Sequence, residues 1–304
     1  MLSEQLLELV PGAAEVRGVE QLTGGASRET WSFDALIAGA WTPLVLRRGR
    51  SGRGSMTVEA LAFEAAARAG VPEPRIVARG DSFLVMERVE GETIARRILR
   101  DDRFALARPH LAEQCGEILA RIHSIPPAAI PHLAERDPLT ETAEMIHSFA
   151  EPSPALELGL AWLQRNRPEP EDSVVLHGDF RLGNLIIGED GVRAVLDWEL
   201  VHRGDPFQDV GYLCVRAWRF GGEQPVGGFG TYEDLFRGYE RISGREVDPA
   251  RVRWWEVFGT VSWGGVCMQQ AWRHLSGSER SVELAAIGRR AWEQEYDVLL
   301  ALAP

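Results

Sequence analysis

One stretch of this 304-residue chain gathers polar residues that could carry chemistry: VVLHGDFRLGNLIIGEDGVRAVLDWELVHRGDP, residues 174–206. Asp179 follows a short apolar run, Asn184 begins the next run, and Asp197 ends the run after that. Two strands paired across the GEDG turn would bring Asn184 and Asp197 to one edge, facing a common cleft with Asp179. A carboxylate and an amide are suitable oxygen ligands for Mg²⁺, which keeps water and phosphate oxygens in its other positions. Asp179 would then be left to accept a proton.

The elements that must position these residues begin with β-prone runs. Short runs of this kind alternate with turns over residues 15–50, which predicts an antiparallel sheet. A connector of glycine, serine and arginine only, residues 49–55, separates this sheet from the alanine-rich TVEALAFEAAARA of residues 57–69. That segment has helical spacing and is followed by Gly70 and Pro72, so it predicts a helix that ends there. Two further strand-like runs, PRIVARG and SFLVMERV, complete the region.

Helical patterns dominate from about residue 93 onward, with residues 174–206 as a β-rich insertion. The expected fold class is therefore α+β, with a small N-terminal antiparallel sheet plus a helix and a larger, mainly helical C-terminal lobe that carries a β-hairpin. The length, about twice the ~150 residues typical of one domain, agrees with two lobes. We place the boundary at the linker of residues 87–91, which gives a first lobe of residues 1–89 and a second of residues 90–304.

Composition narrows the classes of function. The chain has 33 basic and 45 acidic residues and a formal net charge of −12, which disfavours nucleic acid or an anionic membrane as a partner. Every basic residue is an arginine, so the chain contains no lysine. Cys115, Cys214 and Cys267 are widely spaced in apolar segments, which favours buried free thiols and a reducing compartment. With no basic leader and no apolar stretch of ~18 residues, we expect a cytoplasmic protein.

The segment HGDFRLGN has the form H-x-D-x-x-x-x-N, which resembles the catalytic loop of protein kinases, and LDWE stands where kinases have D-F-G. The glycine of HGD and the DWE resemble more closely the aminoglycoside phosphotransferase family, with its choline-kinase-like relatives, over nearly the whole chain. The resemblance implies a protein-kinase-like fold, Mg²⁺, ATP or GTP as donor with ATP favoured, and a small-molecule hydroxyl as acceptor. By the same resemblance Asp179 is the catalytic base, and Asn184 and Asp197 are the metal ligands.

The resemblance also assigns supporting roles around this loop. His177 and Asp209 match positions that brace the loop in such folds, and Asp205 is expected to assist. Glu199 could be a second metal contact or a polar surface residue, and we favour the surface. His123, in ARIHSI, is expected to be a core residue at a helix end and not a metal ligand, because the histidines of this chain are scattered.

Two segments of the first lobe are expected to contact the nucleotide. Small residues at a tip between two β-prone runs permit backbone N–H groups to approach phosphates, although a plain hairpin turn has the same composition. These residues are Gly24, Gly25 and Ser27. VMERVEG resembles the kinase linker between lobes, so the resemblance places Met86 behind the base, while the Glu87 carbonyl and the Val89 N–H would bind a purine edge. For Met86 a plain core position is the alternative.

A third nucleotide contact follows from the run LVLRR. Alternation along a strand places Leu44 and Leu46 on one face and Arg47 on the other. Kinases have a lysine at the position of Arg47, which grips the phosphates and pairs with a glutamate of the following helix. The resemblance gives these roles to Arg47 and Glu59, with Glu64 as the alternative partner. Arginine can hold phosphate oxygens bidentately, but its fork is larger than an ammonium group.

The acceptor stays open at this stage. Four tryptophans of the C-terminal helices could form core or wall a hydrophobic or cationic ligand: Trp254, Trp255, Trp263 and Trp272. An antibiotic, a choline-like alcohol, a sugar and a hydroxyacyl thioester all remain candidates. The main rival function is a catalytically degenerate kinase-like protein that binds nucleotide or a partner, supported only by the missing lysine. A protein kinase is disfavoured because little room for an activation loop follows DWE.

Overall fold

The computed structural model begins with a five-stranded antiparallel sheet in the order β1-β2-β3-β5-β4. The elements of this part are α1 (Leu2–Leu9), β1 (Ala13–Leu22), β2 (Arg28–Ile37), β3 (Ala40–Gly49), α2 (Thr57–Arg68), β4 (Ile76–Gly80) and β5 (Phe83–Glu87). Over the whole chain the structure describes residues 2–22, 28–49, 56–135, 137–149, 151, 153–170 and 172–303. The predicted sheet and the helix after it are both confirmed.

Alternation along the strands gives this sheet two different faces. Phe33 on β2 and Leu44 and Leu46 on β3 are fully buried in one cluster with residues of α1. Val45 and Arg47 point to the opposite face, as the two-residue period of a strand requires. That second face looks toward the rest of the molecule and carries the polar residues of interest.

The second part of the chain is mainly helical. Its elements are α3 (Ala95–Arg100), α4 (Arg108–His123), α5 (Pro138–His147), α6 (Pro154–Arg165), β6 (Val174–Leu176), β7 (Leu185–Gly188), β8 (Gly191–Val195), β9 (His202–Gly204), α7 (Phe207–Cys214), α8 (Tyr232–Ser243), α9 (Pro249–Leu275), α10 (Val282–Gly288) and α11 (Ala291–Leu302). The two short sheets pair β6 with β9 and β7 with β8. The two-lobe α+β class is therefore confirmed.

The chain leaves the sheet at Glu87 and enters the first helix of the helical lobe at Ala95. The boundary expected between residues 89 and 90 falls within this connection and stays a prediction. Of the described helices, none combines the length and the apolar character needed to cross a bilayer. The three cysteines are buried free thiols, as predicted.

Helices α4 and α8 cross with their backbones in contact. A methyl group added at Gly116 would lie 2.1 Å from the Leu235 carbonyl oxygen, and one added at Gly238 would lie 2.1 Å from the Glu113 carbonyl oxygen. Only glycine allows so close an approach at both positions. The crossing matters for the site because α4 ends at His123, whose Nε2 lies 3.3 Å from Asp209 Oδ2 on α7.

Two helices differ from their sequence-based prediction. The pattern of residues 206–218 predicts one helix, but α7 ends at Cys214 and a separate short turn covers Arg216–Arg219. The pattern of residues 282–302 also predicts one helix, whereas the structure has two helices, α10 and α11, separated by Arg289 and Arg290. Gly288, the last residue of α10, lies so close to Ala271 of α9 that a methyl group added there would be 2.9 Å from the Ala271 backbone nitrogen.

Candidate active site

The hairpin of β7 and β8 brings the two expected metal ligands to one edge. Leu185 pairs with Val195, and the Leu196 N–H donates to the Asn184 carbonyl at 2.8 Å, so Asn184 and Asp197 lie next to each other at the end of the hairpin. Asp197 has the left-handed backbone angles φ 66° and ψ 66°, which an aspartate adopts more readily than most residues. The backbone therefore turns at Asp197 and no longer follows the direction of β8.

Asp179 is held by side chains on both of its oxygens. Its Oδ1 accepts from Arg181 Nε at 2.9 Å, and its Oδ2 accepts from Asn184 Nδ2 at 2.6 Å. The same Nδ2 also donates to the Asp179 carbonyl at 2.9 Å. Because Asn184 uses its amide nitrogen in these bonds, its amide oxygen is the atom that it can offer to a cation.

His177 joins the loop of Asp179 to the strand that leads to Asp197. Its Nδ1 accepts from the Asp179 backbone N–H at 3.2 Å, and its Nε2 lies 2.9 Å from the Leu196 carbonyl. Since Nδ1 accepts and the carbonyl can only accept, the proton of the neutral ring is on Nε2. One buried imidazole therefore sets the spacing between the two candidate carboxylates.

Asp209 fixes the same loop from α7. Its carboxylate is fully buried and accepts the backbone N–H groups of His177 at 2.7 Å and Gly178 at 2.9 Å, with His123 Nε2 at 3.3 Å. Burial alone would raise the pKa of Asp209, but the hydrogen bonds and charge around it, from His123 first, lower the pKa. His123 in turn contacts the Tyr239 hydroxyl at 3.0 Å, so it is the core residue that the sequence predicted.

Arg47 reaches across the gap between the lobes. Its Nη1 lies 2.7 Å from Glu59 Oε1 on α2, and its Nη2 lies 2.9 Å from Asp197 Oδ1. The alternative partner, Glu64, pairs instead with Arg79 at 3.0 Å. Burial by itself would lower the pKa of Arg47, but Asp197 and Glu59 raise it overall, so the side chain stays a cation.

A cleft of about 540 Å³ lies between the sheet and the helical lobe, and Asp179 and Glu59 are not in its wall but contact residues that are. The expected site residues found in its wall are Arg47, Met86, Glu87, Val89, Asn184 and Asp197. Met86 is 3% exposed, so its side chain packs in the core and also lines the cleft. Gly24, Gly25 and Ser27 lie outside the described residues. Glu199 is exposed, and no described group of three or more histidine, cysteine or acidic residues forms a metal cage.

Asp205 lies apart from this cluster. Its Oδ2 pairs with Arg251, whose Nε lies 2.8 Å away, and its Oδ1 accepts the Phe207 N–H at 2.9 Å. These contacts fix the start of α7 against α9. Because α7 carries Asp209, these contacts agree with the expectation that Asp205 assists in bracing the loop, which stays a prediction.

A second pocket, of about 300 Å³, lies on the helical side of the loop of Asp179. Gly178 and Tyr212 form its wall toward the loop, and Trp255 and Phe258 of α9 form part of the opposite wall. Burial, followed by the negative charge of the nearby Asp179, raises the pKa of the Tyr212 phenol well above its usual value. The pocket therefore has a polar end beside Asp179 and an aromatic end. Tyr212 was not singled out from the sequence.

The four tryptophans of the C-terminal helices have different surroundings. Trp254 is core, since it stacks on Phe258 and donates Nε1 to the Leu163 carbonyl at 3.0 Å. Trp255 contributes to the pocket, and Trp272 is 55% exposed. The four tryptophans therefore neither all belong to the core nor all line a ligand pocket.

Trp198, directly after Asp197, links the site to α2. Its ring is fully buried and packs edge-on against Phe63, with 6.3 Å between ring centroids. Its Nε1 donates to Glu73 Oε2 at 3.3 Å, while Glu73 Oε1 has no hydrogen-bond partner among the described residues. The sequence pattern indicates no role for Glu73. Its only signal was an acidic residue next to prolines in VPEPR.

Glu73→Gln is expected to stabilise the protein at neutral and alkaline pH. Burial raises the pKa of Glu73 well above its ordinary 4.5, more than the bond from Trp198 lowers it, so the folded state favours the protonated form. The contribution of Glu73 to the free energy of unfolding is complete below pH 4.5, the ordinary pKa of the group in the unfolded chain. It decreases as the pH rises from that value through the higher pKa of Glu73 in the folded protein. Thermal unfolding at about pH 4, 6 and 8 should show Tm of the variant moving above wild type as pH rises.

The matched control for this prediction is Glu64→Gln, because Glu64 is a partly exposed glutamate of α2 with arginine partners. Its Tm curve should run parallel to wild type above about pH 5. If the difference in Tm between Glu73→Gln and wild type stayed constant with pH, Glu73 would instead be ionised in the folded protein.

Comparison with known proteins agrees with this geometry. Residues 18–255 match the model of the phosphotransferase enzyme family. The chain is 30% identical to an aminoglycoside 3'-phosphotransferase of Streptomyces fradiae over 209 residues, which are 62% of this chain and 73% of that protein. It is 32% identical over 198 residues to acyl-CoA dehydrogenase family member 10 of Mus musculus. That match covers 57% of this chain but 18% of the mouse protein, so the chain spans about a fifth of such relatives.

A solved structure shows the same fold. An aminoglycoside phosphotransferase crystallised with ADP and hygromycin B superposes with a TM-score of 0.67 at 18% identity, covering 100% of this chain and 99% of that one. The small sheet, the hairpin and the helical lobe described above are thus those of a kinase-like phosphotransferase. The chain belongs to the phosphotransferase enzyme family, whose members transfer phosphate to hydroxyl groups of small molecules.

Proposed function

We propose that this protein transfers the γ-phosphate of a Mg²⁺-bound nucleoside triphosphate, ATP in preference to GTP, to a hydroxyl of a small molecule, with Asp179 as the base. The observation that carries the proposal is the single cleft in which Arg47, Asn184 and Asp197 meet beside Asp179. Phosphoryl transfer asks a protein mainly for alignment and for stabilisation of charge. This cleft has the groups for both.

The nucleotide would lie between the sheet and the hairpin. Arg47 is suited to the phosphates because its two Nη groups are already held by Glu59 and Asp197 on either side of the cleft. Met86 and Val89 line the far end of the same cleft, where a purine would stack against apolar side chains and meet the backbone near Glu87. ADP in the related crystal structure supports a nucleotide donor.

The donor set at the hairpin edge fits Mg²⁺. Asn184 has its amide oxygen to offer, and Asp197 keeps Oδ2 while Oδ1 accepts from Arg47. Two oxygen ligands are what a magnesium site in phosphate chemistry draws from the protein, since water and phosphate oxygens complete it. When bound, the ion would neutralise charge on the phosphate oxygens. Asn184 and Asp197 would hold it, and Asp179 would remain outside its ligand set.

The second pocket is the candidate acceptor site. Its wall includes Gly178, the residue before Asp179, and Tyr212, whose phenol is close enough to Asp179 to be influenced by its charge, so a hydroxyl at this polar end would lie close to the candidate base. Asp179 would accept the hydroxyl proton while Asn184 and Arg181 keep its two oxygens in place. Catalysis by Asp179 is thus a matter of position as much as of basicity.

A hydroxyacyl thioester is the acceptor that we favour among the candidates. Trp255, Phe258, Met145 and Val266 make much of the second pocket apolar, and Glu141 is the acidic side chain at its wall besides the buried Asp209. A polycationic antibiotic would call for more carboxylates, whereas an acyl chain suits apolar walls. The similarity to acyl-CoA dehydrogenase family members supports the same choice.

The degenerate alternative is not favoured. Its only support is the missing lysine, and Arg47 makes with Glu59 the ion pair that such a lysine would make. Asp179, Asn184 and Asp197 are also all in place around one cleft. A protein that only binds nucleotide has no need of a proton acceptor held at both oxygens.

The direct test uses purified protein with Mg–ATP and, separately, Mg–GTP. Each is incubated with aminoglycosides, choline-like alcohols, sugars and hydroxyacyl thioesters of several chain lengths, and new phosphoesters are followed by mass spectrometry. We expect a phosphoester of a hydroxyacyl thioester, formed with ATP and absent in the Asp179→Asn variant. An aminoglycoside phosphate would overturn the choice of acceptor, and nucleotide binding without any ester or diphosphate would favour the degenerate alternative.

Arg47→Lys is expected to raise the KM for the nucleotide by about tenfold or more. The guanidinium has enough N–H donors at fixed angles to contact both carboxylates and a phosphate, whereas a lysine ammonium is a single compact charge that cannot reproduce this geometry. The substitution is informative in a chain whose basic residues are all arginine. KM and kcat from steady-state assays separate binding from chemistry. An unchanged KM would show that Arg47 does not hold the phosphates.

A further inference from the structure

We propose that the outer face of α11 is an interface through which two copies of this chain pair. This face consists of Trp292, Tyr296, Leu299 and Leu300, whose exposed fractions are 80%, 59%, 50% and 42%. No residue of α11 lines the cleft or the second pocket. The inference therefore concerns assembly and does not depend on the proposed function.

Helix α11 is apolar on two opposite sides. Its inner side packs against α6 and α9, where Gln294 and Val298 are fully buried. With 3.6 residues per turn, Trp292, Tyr296 and Leu299 lie on the opposite side of the helix. A surface helix of a globular protein normally has one apolar side that faces the core and a polar side that faces water. The core therefore accounts for only one of the two apolar sides of α11.

The exposed apolar area of this face is comparable to that of a dimer interface. At the exposed fractions given above, and with about 150–250 Å² for a full side chain of this size, the four side chains offer roughly 500 Å² to solvent. An interface of standard size buries about 800 Å² on each partner, and about 56–65% of that area is apolar. One α11 from each of two copies therefore supplies the apolar area that a stable dimer needs.

The order of side chains along α11 favours a second copy as the occupant. Tyr296 lies at the middle of the face and of the helix, Ala291–Leu302. A two-fold axis through this point would pair the two helices antiparallel and place Tyr296 against its own equivalent. Trp292 of each copy would then lie opposite Leu300 of the other, so that a large ring meets a smaller side chain. A two-fold contact needs a self-complementary surface of this kind.

The charges beside the face fit the same arrangement. Glu293 pairs with Arg290 at 3.0 Å, and Glu295 accepts from Ser153 at 2.7 Å, so the carboxylates at its borders already have partners. The face itself has no charged side chain, and pairing would bury no unpaired charge. Arg289, which is exposed just before α11, favours the antiparallel direction. Antiparallel helices keep the two Arg289 cations about 20 Å apart, whereas parallel helices would bring them together.

The first measurement is the oligomeric state, by sedimentation velocity at protein concentrations from about 1 to 100 μM. Interfaces of standard size have dissociation constants from micromolar to picomolar, so wild type should be a dimer at about 10 μM. Trp292→Glu and Leu299→Glu should be monomeric at that concentration, because pairing would bury an unpaired carboxylate in the interface. Leu106→Glu is the matched control, since Leu106 is an 82% exposed leucine shortly before α4, and it should sediment as wild type.

The second measurement tests the two-fold arrangement itself. Tyr296→Glu and Tyr296→Arg should each be monomeric alone, because a residue on the axis meets its own equivalent and like charges repel. An equimolar mixture of the two variants should recover a dimer, since the carboxylate of one copy then meets the guanidinium of the other. The Tm of each variant, compared with that of wild type, confirms that the chain is folded.

Three results would overturn the inference. A wild type that stays monomeric up to about 100 μM would leave this face to a partner of another kind. Dimers that persist in both Trp292→Glu and Leu299→Glu would show that the copies pair through a different surface. A mixture of the two Tyr296 variants that stays monomeric would exclude the antiparallel two-fold contact. None of these results bears on phosphate transfer, which is measured in a separate assay.

Discussion

Asp179→Asn is expected to lower kcat by about two to four orders of magnitude while nucleotide affinity stays nearly the same. The amide keeps the shape of the carboxylate but cannot accept the proton of the acceptor hydroxyl. Nucleotide binding should survive because Arg47 and Met86 of the sheet and Val89 of the connection after it line the cleft independently of the loop. The size of the loss is that of a positioned general base removed from a transfer whose other groups remain.

The measurement pairs steady-state kinetics with calorimetric titration of Mg–nucleotide. Asp190→Asn is the matched control, since Asp190 is an exposed aspartate in the turn of the same hairpin and pairs with Arg193 at the surface. The control should keep wild-type kcat. The amide nitrogen introduced by Asp179→Asn cannot accept hydrogen bonds from Arg181 or Asn184, which disfavours the folded state. The Tm of the variant is therefore compared with that of wild type as well. Near-normal turnover in a folded Asp179→Asn protein would remove Asp179 from the mechanism.

Asp197→Asn and Asp197→Ala are expected to abolish the dependence of nucleotide binding on Mg²⁺. Asp197 is the charged member of the candidate ligand pair, and the neutral Asn184 alone cannot replace its charge. Asparagine is the cleaner variant because it tolerates the left-handed backbone at φ 66°, where alanine costs about 1 kcal/mol or more. Arg47 keeps its contact with Glu59 in either variant, so the phosphate-binding arginine stays in the cleft.

Calorimetry with ATP in Mg²⁺ and in EDTA tests this second result. Wild type should bind far more tightly with the metal, and the Asp197 variants should bind equally weakly in both buffers. Asp190→Asn is again the control, because Asp190 is an exposed carboxylate in the turn of the same hairpin, and it should behave as wild type. An unchanged affinity for Mg–ATP in Asp197→Asn would show that the metal assignment is wrong.

Local patterns in the sequence account for the scaffold of the site. The two-residue period of LVLRR predicts that Arg47 and the buried leucines face opposite ways, and the structure shows this. The turn GEDG between two apolar runs predicts the hairpin that joins Asn184 to Asp197. These features depend on residues a few positions apart, so the sequence alone is enough to predict them.

The sequence predicted less well where a helix ends and whether a weak pattern is a helix at all. The pattern of residues 282–302 does not show that α10 ends at Gly288, which packs against α9. Helix α6 was not predicted, although its N-cap Ser153 accepts the Leu156 N–H at 3.3 Å. Helix boundaries depend on caps and on packing against other elements. Periodicity within one segment does not contain that information.

The partners of the site residues were decided by tertiary structure alone. Arg47 and Asp197 are 150 positions apart in the chain yet 2.9 Å apart in space, and Glu59 is chosen over Glu64 by the orientation of α2. The same holds for the bond between Glu73 and Trp198, 125 positions apart. Residue types and spacing determine which chemistry is possible along a strand or a loop. Which charges meet across the cleft follows from how the two lobes pack, because burial selects the pairs that neutralise one another.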